Sequence, residues 1–192
     1  MTRLGWFLLL FFLLVIGGFA LIVNKGGRFT GSSSPATSSP VGELDANAGG
    51  GGLVIPVAGV NREQLTDTWG DARGDGTRQH HAIDIMAPRG TPVLAAAAGT
   101  VEKIFESANG GHTVYIRRAD TSWQDYYAHL DSYAADLREG IEIKQGQQIG
   151  TVGSTGDASP DGPHLHYEIH RMAPGDNWSA GTELNPYPIL RG

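Results

Sequence analysis

Cysteine is absent from this chain, which excludes both a disulfide framework and any thiolate metal site. A transition metal, if one binds, must be held by imidazole and carboxylate, a donor set that suits zinc. Positive charge is scarce as well. Lysine and arginine total 14 against 20 acidic residues, and the formal net charge of -6 argues against a nucleic-acid partner, which would want a basic face. Uninterrupted helical stretches are few, because 28 glycines and 10 prolines break the chain into short pieces. With alternating aliphatic segments between the breaks, this composition favours an all-β domain. No internal repeat is visible.

One stretch is unlike the rest. Leu4 to Val23 carries no charge and is almost wholly apolar, and about 20 such residues suffice to cross a hydrocarbon core as a helix. A cleaved signal peptide would have a shorter apolar region and a small-residue cleavage site, so an uncleaved anchor is the better reading. Arg3 on one side and Lys25 and Arg28 on the other leave the positive-inside rule nearly balanced. Residues 24–52 are rich in Gly, Ser, Thr and Pro and cannot bury enough surface to offset their ordering entropy. They read as a flexible tether. The expected organisation is therefore a flank at 1–3, a transmembrane anchor at 4–23, a linker at 24–52 and one folded domain at 53–192.

Within that domain, Leu53 to Val60 supplies the first strand-like run, and Thr66 to Gln79 reads as a loop anchored by Trp69. The Ile83/Ile85 alternation predicts a strand from about Ala82 that Pro88 ends. Pro92 to Ile104 predicts two strands joined at Gly99, and Thr113 to Arg117 a further one. Trp123 to Leu130 predicts a strand with His129 at its end, and Asp131 to Leu137 a short helix capped by Asp131. Gly140 to Val152 reads as a hairpin about Lys144–Gln147, Gly153 to Gly162 as a loop, and the tail from Met172 to Leu190 as irregular.

The chemistry concentrates in histidines. His164-Leu165-His166 lies in a strand-like run after a Gly-Pro turn signal, so the two imidazoles share one face and Leu165 takes the other. They would stand about 7 Å apart along the strand, close enough to serve one site. On the Ile83/Ile85 strand, Asp84 points away from the isoleucines, and a turn before it can bring His80 alongside. His81 is an alternative to His80 at that position. His112 reads as a turn residue with no chemical task.

Three segments, His80-x-x-x-Asp84, Tyr127-Ala128-His129-Leu130 and Gly162-Pro163-His164-Leu165-His166-Tyr167-Glu168, together resemble the signatures of the lysostaphin-type (LytM) zinc metallopeptidases, in that family's order. Flanking residues agree, including Ala87-Pro88-x-Gly90-Thr91-Pro92-Val93, Gly153-Ser154-Thr155-Gly156 and Asn185-Pro186. The resemblance covers Leu53 to Leu190 and implies a mainly antiparallel β-sheet domain with its site in a groove. It implies that His80, Asp84 and His166 bind one zinc ion, with His129 and His164 as the two non-ligand active-site histidines. The implied activity is hydrolysis of an amide in the peptide part of peptidoglycan. That substrate in turn places the domain outside the cytoplasmic membrane, on the periplasmic side, held by the N-terminal helix. A tether of about 29 residues has a random-coil reach of roughly 30 Å. The alternative is a catalytically silent LytM module that binds and regulates a wall amidase or division protein. Silent members lose ligands or the catalytic pair, whereas all five positions are filled here.

Overall fold

The computed structural model describes residues 52–192 apart from residue 75. The expected anchor at 4–23 and nearly all of the tether lie outside the described residues. Among those described, no helix is long and apolar enough to cross a membrane.

Short strands separated by turns dominate, as the glycine and proline content requires. In chain order they are β1 (Ala72–Arg73), β2 (Arg78–Gln79), β3 (Ile83–Met86), β4 (Pro92–Leu94), β5 (Gly99–Ser107) and β6 (Gly111–Arg118). Next come β7 (Trp123–Tyr133), β8 (Glu142–Ile143), β9 (Gln148–Val152), β10 (His164–Arg171) and β11 (Thr182–Leu184), then one short helix, α1 (Pro186–Arg191). β1 and β2 form a separate ribbon, and the other strands make one sheet in the order β11-β10-β7-β6-β5-β8, with β3 on β10 and β9 bridging β4 and β7. All pairings are antiparallel, so the all-β expectation holds for the described residues.

Alternation along each strand builds the core. Ile83 and Ile85 of β3, Val114 and Ile116 of β6, Tyr127 of β7, and Leu165, Tyr167 and Ile169 of β10 all face inward. Two buried tyrosines need partners for their hydroxyls. The Tyr127 hydroxyl accepts from the Ala96 amide at 2.9 Å. Tyr167 donates to Asp125 Oδ1 at 2.6 Å, and Arg118 neutralises that fully buried carboxylate with bonds of 2.9 and 2.6 Å. Leu165 is 0 % exposed although it stands between two site histidines. Leu165→Ala should therefore lower stability by about 2–5 kcal/mol, read as a shifted urea midpoint at an unchanged slope.

Several local expectations are corrected. No helix forms from Asp131 to Leu137: β7 runs on to Tyr133 because Ser132 and Tyr133 pair with Thr151 and Gly150. Gly140 to Val152 is not a hairpin. β8 pairs with β5 while β9 pairs with β4 and β7, so the Lys144–Gln147 turn hands the chain from one neighbour to another. Leu53 to Val60 is not a regular strand; Pro56 lacks a ladder donor, and only a single bridge, Val57 to Val93, forms. The tail contains β11 and α1. Asn185 caps α1 by accepting from the Tyr187 amide at 2.9 Å, with Pro186 in the first turn, where its missing donor is harmless. The Thr66–Gln79 stretch holds the β1–β2 ribbon rather than loop alone, and His112 sits inside β6 rather than in a turn.

Candidate metal centre and active site

Register decides what meets at the site. β3 and β10 are neighbours with Asp84 opposite His166, so the carboxylate and the imidazole share a face. On the other side of β10, His166 stands opposite Ala128, whose small side chain leaves that face open. His80, just before β3, is pinned by its main chain: its N–H donates to Asp71 O at 2.9 Å and its carbonyl accepts from the Gly70 amide at 2.7 Å. Thr68 braces both partners. Its carbonyl lies 2.8 Å from His80 Nδ1, and its hydroxyl accepts from the Asp84 amide at 2.9 Å.

These supports orient the rings. A carbonyl can only accept, so His80 carries its proton on Nδ1 and Nε2 is bare. Glu168 Oε1 lies 2.8 Å from His166 Nε2, and an ionised carboxylate likewise only accepts, so the neutral ring is bare at Nδ1. Burial opposes charge on Glu168, but bonds from His166 and His170 outweigh it and hold its carboxyl down at about 2. Three lone-pair atoms then converge. His80 Nε2 is 3.0 Å from Asp84 Oδ1 and 3.0 Å from His166 Nδ1, and His166 Nδ1 is 3.3 Å from Asp84 Oδ1.

Such a triangle repels itself unless a cation enters. The buried Asp84 Oδ1 accepts no hydrogen bond despite those short distances. Donors at zinc distances on a tetrahedron stand about 3.3 Å from one another, close to the spacing observed. These three residues are the ones among those described that could hold a metal ion together. Without one, the surplus proton goes to His166: burial resists the charge, yet Asp84 and Glu168 push the ring up to about 9. Burial likewise resists charge on Asp84, and the adjacent imidazoles more than offset it, holding its carboxyl well below the usual carboxylate range.

His129 and His164 complete the cluster, their ring centroids 4.9 Å apart and His129 5.5 Å from His166. His129 Nδ1 lies 2.8 Å from the Thr155 carbonyl and His164 Nδ1 2.8 Å from the Gly162 carbonyl, which leaves Nε2 of each ring without a proton. Burial lowers His129 to about 4, so the ring is neutral at ordinary pH. Strict alternation would turn His129 away from the face that Ala128 shares with His166. A register shift between β6 and β7 at this point re-aims it. The residue sits at φ 59°, a left-handed conformation that non-glycine residues avoid. Gly156, at φ 76° and too close to Asn109 O for any Cβ, lets the Thr155 loop approach. His81 stays outside the triangle, stacked on Trp69 at 5.2 Å. A groove of about 700 Å³ opens over the cluster.

Residues 78–186, which contain all five of these positions, match Peptidase family M23. The chain belongs to peptidase family M23. Among curated relatives, the L-Ala--D-Glu endopeptidase of Bacillus subtilis is 38% identical over 130 residues, covering 65% of this chain and 38% of that protein. The peptidoglycan DD-endopeptidase ShyC of Vibrio cholerae is 44% identical over 92 residues, covering 48% of this chain and 20% of that one. This chain thus spans well under half the length of these relatives. The catalytic domain of lysostaphin from Staphylococcus simulans superposes with a TM-score of 0.56 at 28% identity, covering 67% of this chain and 92% of that domain. A zinc-containing peptidase from Vibrio cholerae gives 0.52 at 28% identity, over 60% of this chain and 35% of that one. Thr68, Thr155 and the acceptor role of Glu168 were not foreseen from sequence. Thr155 and Glu168 did carry a signal, since both stand in the matching segments, and Glu168 lies two residues beyond His166 on the same strand face.

Proposed function

We propose that this M23 chain is a zinc metalloendopeptidase that hydrolyses an amide bond in the peptide stems or cross-links of peptidoglycan. The observation that carries the reading is the triangle of bare donor atoms on His80, Asp84 and His166, with two further histidines facing the same groove. Relatives named as peptidoglycan endopeptidases support the substrate class.

His80 Nε2, Asp84 Oδ1 and His166 Nδ1 would hold the metal. Zinc with three protein ligands supplies a Lewis acid and a bound water whose pKa falls towards about 7. The remaining work belongs to the protein. His129 Nε2, neutral and unprotonated, is placed to take a proton. His164 Nε2, bare and 3.7 Å from Asp84 Oδ1, can carry one across the groove once charged. Whichever of the two rings holds the proton can donate to the developing oxyanion and later to the leaving amine. The Thr155 and Gly162 carbonyls keep each ring in the tautomer this needs.

Glu168 fixes the tautomer of His166, so Glu168→Gln should weaken zinc binding about 10- to 100-fold, measured by competition with a chromophoric chelator. The presence of both rings and all three donors favours an enzyme over a silent regulatory module. The apolar run at 4–23 supports single-pass anchoring in the cytoplasmic membrane with the domain on the extracytoplasmic side; release of the chain by alkaline washing of membranes would count against it. Mass analysis of fragments from defined muropeptides, with His164→Ala as control, tests the activity. No metal-dependent fragment from the zinc-loaded chain would remove the enzyme reading.

A further inference from the structure

Two arginines enter the groove from a ribbon that metal binding does not require. Arg73 of β1 and Arg78 of β2 are register partners, so their side chains emerge on one face of the ribbon. Both line the groove over His80, Asp84 and His166. Like charges directly opposite on paired strands are destabilising, and this two-stranded ribbon contains no buried residue to offset that. Among the described residues, each arginine meets one carboxylate. Arg73 Nη2 donates to Asp84 Oδ2 at 2.5 Å, and Arg78 Nη2 reaches Asp157 Oδ2 at 3.5 Å. Neither guanidinium makes another hydrogen bond to the described residues, which engage one nitrogen of each fork. The Arg73 side chain is 36% exposed, open to the groove while tethered to a proposed metal ligand. Arg73 also lies outside the 78–186 segment that matches the family.

We infer that Arg73 and Arg78 form a carboxylate clamp, and that the peptide bound here presents a free carboxylate beside the scissile amide. A planar guanidinium fork matches a carboxylate bidentately, and two forks on one ribbon face can grip one group from both sides. Asp84 links this recognition to the metal centre. It offers Oδ1 to the donor triangle and uses Oδ2 to hold Arg73 at a set distance from the reacting amide. The clamp rests on the endopeptidase reading for the identity of its peptide. The carboxylate has two sources: an internal acidic residue of the peptide, or its C-terminus.

The test uses the full chain in detergent, loaded with zinc, and three peptides of one sequence: unmodified, amidated at the internal acid, and amidated at the C-terminus. Cleavage is followed by mass spectrometry, and binding of the same peptides to the His164→Ala chain by calorimetry. Amidation of the recognised group should lower kcat/KM and affinity about tenfold to a hundredfold, mainly through KM, and the amide that does so identifies the source. The double variant Arg73→Gln/Arg78→Gln should bring that ratio close to one, and Arg73→Lys should recover part of it. Zinc content, measured in parallel, separates the clamp from any effect through Asp84. If the variants lose rate equally on acid and amide, or the wild type ignores both amidations, the clamp is overturned while the peptidase reading stands. Carboxylate-dependent binding without cleavage would keep the clamp and remove the peptidase reading.

Discussion

Asp84→Ala should empty the metal centre and stop hydrolysis with it. Asp84 Oδ1 is the atom both imidazoles approach, at 3.0 and 3.3 Å, and it has no hydrogen bond to fall back on. A tetrahedral zinc site of about 12 kcal/mol distributes roughly 3 kcal/mol to each ligand, so losing one weakens binding about a hundredfold to a thousandfold. Chelator competition reads that directly, and cleavage of muropeptides should vanish at zinc levels that saturate the wild type. An Asp84→Ala chain that kept wild-type affinity would remove this residue from the ligand set. The same titration has a definite pH dependence. With His166 at about 9 in the metal-free chain, one proton occupies the triangle at neutral pH and binding must displace it. Apparent zinc affinity should therefore fall about tenfold for each pH unit below 9, and rise no further above it.

How much of this could be read from residues alone follows from which features are periodic. The β10 strand was legible because its alternation is regular: His164 and His166 on one face, Leu165 in the core. The β3 strand was legible for the same reason, with Asp84 opposite its two isoleucines. Pairing was not legible. No local pattern says that Asp84 lies opposite His166, or that β8 and β9 on either side of one tight turn pair with different strands. His129 shows the limit most clearly. Its motif marks it as important, yet alternation from Tyr127 and Ala128 points it the wrong way, and only the irregular β6–β7 register, invisible in sequence, turns it into the groove. The short helix expected after Asp131 failed because a long-range partner, β9, claimed those residues for the sheet. The ribbon at Ala72–Gln79 was hidden by its length, two residues a strand among glycines.

Removing either free imidazole should separate chemistry from metal binding. His129→Ala and His164→Ala should each lower kcat by roughly 10²- to 10⁴-fold while zinc content stays at the wild-type level, because neither ring belongs to the triangle of donor atoms. The pair should also be non-additive. The rings stand 4.9 Å apart on one groove and handle the same proton inventory, so the double variant should lose little beyond the worse single one. The pH profile then assigns the acid limb. A ring at about 4 is unprotonated at every pH above that, so His129 can accept a proton down to about pH 4 and contributes no limb near neutrality. A fall in wild-type rate between neutral pH and about 5 then divides into two parts: protons competing for the donor atoms, His166 above all, which excess zinc should reverse, and protonation of the water that a bound zinc would hold, which excess zinc should leave in place. A limb in that range that persists at saturating zinc in the wild type but is lost from the residual activity of His129→Ala would mean that this ring titrates there, and the assignment of His129 as the neutral acceptor would be wrong.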